Sequence, residues 1–269
     1  MLCNYLLMVH IKRFGVKTSM KSIRKAAEAL KLLAAPPHDI SVADVARALR
    51  VTPSNASRIL AELRDAELVD QDPATRRYRP GPLAIQLAAG FHQTTDALGC
   101  VQEAMPDLVA RTSHTAWAGV LDGPNVVILN TQHGGFPVRF GVDLGRRLPA
   151  HTAAMGKALL ALLPDEEIRR RLKGALERST KHSHASMKAV LEDAAAARAR
   201  GYAVSDQELF LGIKSIAIAF GPPTGQEPVA LSLSFPLPSV EAAAERGLIA
   251  ALLETGRKIG QRIGDPRWR

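Results

Sequence analysis

The chain has 269 residues, 46% hydrophobic and 23% charged, which is enough apolar mass for one large domain or two ordinary ones with a real core. No apolar run approaches the roughly 18 residues of a membrane-crossing helix, two cysteines (Cys3 and Cys100) exclude a disulfide framework or a multi-cysteine metal site, and 4% aromatic content argues against stacking platforms for single-stranded nucleic acid. The net charge of +9 is uneven: residues 1–82 carry 14 Lys and Arg against 8 Asp and Glu and the remainder 21 against 18, so a polyanion-binding segment is joined to a nearly neutral part with another task.

Residues 1–19 contain a short apolar run with no basic residue before it and no small-x-small cleavage site after it, so no secretory signal is expected. They read as a disordered extension, with Met20 as the natural start of the folded part. With its scarce cysteines the chain suits a reducing cytoplasm.

From Met20 the pattern is helical. Ile23, Ala26, Ala27, Leu30 and Leu33 recur at helix spacing until Pro36-Pro37. Ser41, with Asp44 three residues on, predicts the capped start of a second helix whose apolar face is Val42, Val45, Ala46 and Leu49. Thr52 and Pro53 predict the N-cap and N1 of a third, with Ala56, Ile59, Leu60 and Leu63 inside. Two short helices joined by so tight a link form a helix-turn-helix, here with Arg50 where the turn often takes glycine.

The outer face of the third helix carries Ser54, Asn55, Ser57 and Arg58, beside Thr52 at its start. Short hydrogen-bonding groups and one arginine near a helix N-terminus suit base edges in the major groove, arginine pairing with guanine and asparagine with adenine. A merely solvated face would instead favour charged pairs at i, i+4. The turn-rich Asp70–Thr75 and then Arg76, Arg77 and Arg79 predict a wing of two short strands aimed at phosphates or the minor groove.

Residues 82–113 read as helix that Gly90, Gly99 and Pro106 should bend or break, a connector that can pack against a second copy. Beyond Thr115 the period falls to two. Trp117–Leu121 and Val126–Thr131 flank a hairpin turn, and Phe136–Phe140 continues as strand. Helices are expected at Ala153–Leu163, after Pro164, at Met187–Arg200 and from Ser239 to about Ile263, with strands near Ile213–Phe220 and Val229–Phe235. That grouping predicts an α+β domain around an antiparallel sheet.

Both late strands have one bulky and one small face, with Ser215 on one small face and Ser232 and Ser234 on the other. The space left can hold a small polar ligand or admit a closely packed helix. Thr152, placed to cap the Ala153 helix, suggests free N–H groups for a carboxylate.

Taken together, TRRYRPGPLAIQLA, RRLPAHTAAMGKALLALLPDEE, GYAVSDQELFLGIKSIAIAF and PVALSLSFP resemble the IclR family of bacterial transcription regulators over nearly all of residues 20–264. The resemblance implies a winged helix-turn-helix (20–82), a helical linker (83–104), a GAF-like effector domain with an antiparallel sheet (105–264) and a tail (265–269). It implies a homodimer or homotetramer on double-stranded operator DNA, responding to a small organic or aromatic acid. By position it places the effector at Ala154, Met155, Ser205, Asp206, Ser215, Ser232 and Ser234. Met155 is bulky where glycine and alanine can occur, and Ser205 and Ser215 replace an acidic residue and a cysteine of some members.

No catalytic residues, cofactor or metal are expected: G-x-S-x-G, G-x-G-x-x-G and Walker-type loops are missing. His182-Ser183-His184 with His133 or His151 is a conceivable metal set, but in a Ser/Thr-rich segment it reads as a solvated loop. The remaining alternatives are a ligand-independent DNA-binding protein and a small-molecule enzyme with a His-based site.

Overall fold

The computed structural model describes residues 20–35, 37–93, 96–135, 142–174, 176–221, 225–237 and 240–268. The chain divides into two compact units, one ending at Gln86 and one beginning at Leu87. The expected strand at Phe136–Phe140 falls outside the described residues, as does Ser239.

The first unit contains α1 (Met20–Leu33), α2 (Val42–Leu49), α3 (Pro53–Asp65), β1 (Val69–Gln71), β2 (Tyr78–Pro80) and the start of α4 (Pro82–Gln93). Ser41 and Asp44 form a reciprocal capping box: the Asp44 N–H donates to Ser41 Oγ (3.2 Å), and the Ser41 N–H donates to the Asp44 carboxylate (2.9 Å). Arg50 ends α2 in the left-handed region at φ 51, a conformation that costs a non-glycine residue about 1–2 kcal/mol. The tight link to α3 that results lets Val45, Ala56, Ile59, Leu60 and Leu63 close a core with Ala29, Leu33, Ile40, Val69 and Tyr78. Ile40 exchanges two backbone hydrogen bonds with Tyr78, adding a third short edge to the β1–β2 hairpin.

The second unit contains the rest of α4, then α5 (Asp96–Thr112), β3 (Thr115–Asp122), β4 (Asn125–Gln132), β5 (Arg147–Pro149), α6 (Ala154–Leu160), α7 (Asp165–Arg171), α8 (Met187–Arg200), β6 (Ala203–Asp206), β7 (Ile213–Phe220), β8 (Val229–Pro236) and α9 (Ala242–Arg262). The strands form one antiparallel sheet in the order β5-β4-β3-β8-β7-β6. α5 runs on through Gly99 and Pro106, where the sequence predicts a bend or a break, and is not broken there; the packing of Met105 and Leu108 into the core outweighs the loss of one helix hydrogen bond.

The two faces of the sheet are built differently. Ile216, Ile218 and Phe220 of β7 and Leu231, Leu233 and Phe235 of β8 share a core with Leu98, Val101 and Leu108 of α5 and Leu252 and Ile259 of α9. On the opposite face Ala217, Ala219 and Ala230 pack with Ala154, Met155 and Leu159 of α6. Small side chains there admit α6 close to the sheet. The end of the chain, expected as a tail, is packed: Asp265 accepts the Gly221 N–H (2.9 Å) and the Trp268 ring lies 5.5 Å from Phe220. A Cβ at Gly260 would stand 2.2 Å from Trp268 Cβ, so only glycine lets the indole reach α9.

Candidate functional site

In the first unit, Thr52, Ser54, Asn55, Ser57 and Arg58 are all exposed on α3. They are held by the helix start: Thr52 Oγ1 accepts the Asn55 N–H at 3.4 Å, and Arg58 donates to Asn55 Oδ1 at 3.3 Å. The two expected base-reading side chains therefore form a pair one helical turn apart, a linkage the sequence did not reveal.

The wing arginines do not form one free cluster. Asp72 accepts the N–H groups of Ala74 and Thr75 (both 2.8 Å), which shapes the turn and holds its carboxyl below the usual range. Arg76 sits in that turn at φ 60 and is exposed. Arg77 turns inward: its Nε lies 2.9 Å from Asp39, and its terminal nitrogen 3.4 Å from Asp44. Arg79 pairs with Asp70 directly across the ladder at 2.9 Å. Two of the three expected phosphate contacts are thus already neutralised by carboxylates of the same unit.

In the second unit a narrow, partly open cavity lies on the small-residue face of the sheet. Ala154, Met155, Ser205, Ser215, Ser232 and Ser234 all line it. The register explains why. Ser205 opposes Ser215, Ser215 opposes Ser234 and Ser234 opposes Thr115, so one row of hydroxyls crosses β6, β7, β8 and β3. Ser215 Oγ and Ser234 Oγ are 2.8 Å apart, and Ser205 Oγ donates to the Thr152 carbonyl at 2.6 Å.

Asp206 is a correction. One residue beyond Ser205 on the same strand, it does not line the cavity and pairs with Lys214 at 3.6 Å. Thr152 is a second correction: Ala153 occupies the N-cap of α6 without a side-chain bond, and the buried Thr152 hydroxyl donates to the Pro149 carbonyl at 3.2 Å. His151 does not line the cavity either; its Nε2 lies 3.0 Å from the Glu177 carbonyl, and burial lowers its pKa.

Sequence reasoning missed the apolar wall: Trp117, Ile128, Leu148, Leu209, Phe210 and Ile213. Trp117 opposes Ser232 in the β3–β8 register, so strand pairing would have found it, but the β3 alternation alone did not. Among the described residues the lining includes no charged side chain and no acid–base pair.

Residues 92–261 match the family model described as "Bacterial transcriptional regulator IclR C-terminal", and residues 24–77 match one described as "MarR family". The chain is 26% identical over 251 residues to the HTH-type transcriptional regulator XynR of Escherichia coli K12, covering 92% of this chain and 98% of that protein. An IclR transcriptional regulator from Alicyclobacillus acidocaldarius superposes with a TM-score of 0.78 at 27% identity, over 90% of this chain and 98% of that one. The fold is also shared with an IclR homologue from Microbacterium hydrocarbonoxydans solved with 4-hydroxybenzoate, at a TM-score of 0.75 and 19% identity over 90% of this chain and 98% of that one.

Proposed function

The chain belongs to the IclR family of DNA-binding transcriptional regulators, and from that premise we propose that its affinity for an operator is set by a small organic or aromatic acid held in the cavity beneath α6. The observation that carries this reading is the hydroxyl row Ser205–Ser215–Ser234 on one wall of an otherwise apolar cavity. An aromatic or aliphatic body matches Trp117, Ile128 and Phe210, while hydroxyls satisfy the polar end. The homologue solved with 4-hydroxybenzoate offers a ligand of that chemistry as a starting point.

On the DNA side, α3 lies in the major groove with Arg58 and Asn55 at base edges and Ser54, Ser57 and Thr52 near the backbone, while Arg76 reaches a phosphate. A dimer or tetramer presents paired winged helices to half-sites about 34 Å apart. Ile85 and Leu87 support self-association, because they leave α4 with apolar side chains 74% and 60% exposed. The acid acts by binding one arrangement of the paired units better than the other. The place of action is the cytoplasm, where operator DNA lies; among the described residues no helix is long and apolar enough to cross a membrane.

The test is a gel-shift titration of the chain on its own upstream region at several salt concentrations, with and without small acids including 4-hydroxybenzoate. A salt-sensitive affinity that one acid changes supports the reading. Affinity that no acid alters would leave a ligand-independent DNA-binding protein.

A further inference from the structure

The loop between β6 and β7 supplies Leu209 and Phe210 to the cavity wall, and Ile213 at the start of β7 adjoins them. Within it the Gln207 N–H donates to the Ile213 carbonyl (2.9 Å) and the Gly212 N–H to the Gln207 side chain (3.2 Å), while the Gly212 carbonyl accepts the Leu237 N–H (2.8 Å) just beyond β8. The side chain that carries the loop's charge into the protein is Glu208, which is 6% exposed. Its carboxylate meets the ammonium of Lys157, a residue of α6 that is 4% exposed. Lys157 also donates to the Val204 carbonyl (3.1 Å) and pairs with Asp193 of α8 (2.8 Å).

A second set of contacts reaches the loop from the Thr180–His184 segment. The Thr180 hydroxyl donates to the Gln207 carbonyl and the Ser183 hydroxyl to the Glu208 carbonyl, each at 2.7 Å. His184 Nε2 lies 3.8 Å from the second oxygen of Glu208. This Ser/Thr/His-rich stretch, read from sequence as a solvated loop, is a strap over the back of the cavity wall.

Burying two charges is costly, and a packed apolar pair of equal volume often gives equal or greater stability. Stability therefore does not explain the pair; a fixed geometry does. We propose that Glu208 is a positioning residue for ligand binding: by pairing with Lys157 it fixes the Leu209–Phe210 wall against α6, so the shape of the cavity is set by an anchor that does not line it. The proposal rests on reading the cavity as the effector site, yet its test needs no ligand.

The experiment is hydrogen–deuterium exchange on the full chain, comparing peptides across 207–213 with peptides of β3, β8, α6 and α8. The volume-conserving double replacement Lys157→Met with Glu208→Leu removes both charges and leaves Asp193 beside Arg200. Exchange at 207–213 is expected to rise about tenfold while β3, β8, α6 and α8 keep wild-type protection. Wild-type protection at 207–213 overturns the proposal, as does loosening shared equally by the helices, which would mark a merely structural pair. If the double variant does not fold, Glu208→Gln decides: acceleration confined to 207–213 supports the proposal, and unchanged exchange rejects it. Failure here leaves the effector reading standing, since that is judged by the cavity serines.

Discussion

Arg77 of the wing holds Asp39, thirty-eight residues earlier in the chain, with its Nε 2.9 Å from the carboxylate, and its second reach, to Asp44, touches the capping box of α2. The side chain that looks most like a phosphate contact thus ties wing to helix-turn-helix. The Asp39 hydrogen bond also raises the Arg77 pKa, so the cation persists at any working pH. Arg77→Ala is expected to lower the melting temperature of the first unit, more at low salt than at high, because the pair is partly exposed and screened. Arg76→Ala is expected to leave melting unchanged and reduce the salt slope of DNA binding by about one unit. Melting curves with salt-dependent gel shifts separate the two; a slope change for Arg77→Ala without loss of stability would reverse these assignments.

Arg58→Ala removes both the expected guanine contact and the partner of Asn55 on α3. The cost on a matched operator is expected at about 1–3 kcal/mol, with relaxed preference at one base position and a smaller loss on scrambled DNA. Gel shifts on both probes measure it. Equal losses on the two would place Arg58 on the backbone instead.

Much of the first unit was legible because its signals are local. The Ser41–Asp44 box, the Thr52-Pro53 start and the α3 core at Ala56, Ile59, Leu60 and Leu63 each lie within a few residues, and all are present. The Arg77–Asp39 tie and the Ile40–Tyr78 bridge join distant segments and leave no periodic trace. In the second unit the small faces of β7 and β8 left two outcomes open: α6 packs over Ala217 and Ala219, as the helix outcome expects, while Ser215, Ser232 and Ser234 border a cavity. β5 and β6, at three and four residues, are too short to show a period of two. Strand alternation also accounts for Asp206, which faces away from the cavity because its neighbour Ser205 faces in.

Ser232→Val with Ser234→Val removes two hydroxyls from the cavity and leaves Ser215 without its 2.8 Å partner. Valine fits a buried strand, so the fold is expected to persist. The thermal stabilisation given by whichever small acid stabilises the wild type is expected to vanish, read by melting curves at saturating acid. A shift of wild-type size would move the ligand away from this wall.

His151 makes stability depend on pH. Its Nε2 donates to the Glu177 carbonyl at 3.0 Å, which leaves Nδ1 to receive a second proton in a buried site with no hydrogen-bond partner among the described residues. Burial, the largest cause, lowers its pKa, and the charges of Lys157 and His184 push the same way. The unfolded chain binds the proton near an ordinary imidazole pKa of about 6.5, whereas the folded chain binds it only at lower pH. Between those two values the unfolded state holds more protons, so stability rises with pH across the window and is lost as pH falls below about 6.5. His114 is shifted the same way by burial and adds to the slope. Urea midpoints of the wild type are expected to fall from pH 7 to pH 5. His151→Gln, whose amide can still donate to Glu177, is expected to fall less. Parallel decline in the two proteins would show that His151 is not the group that titrates.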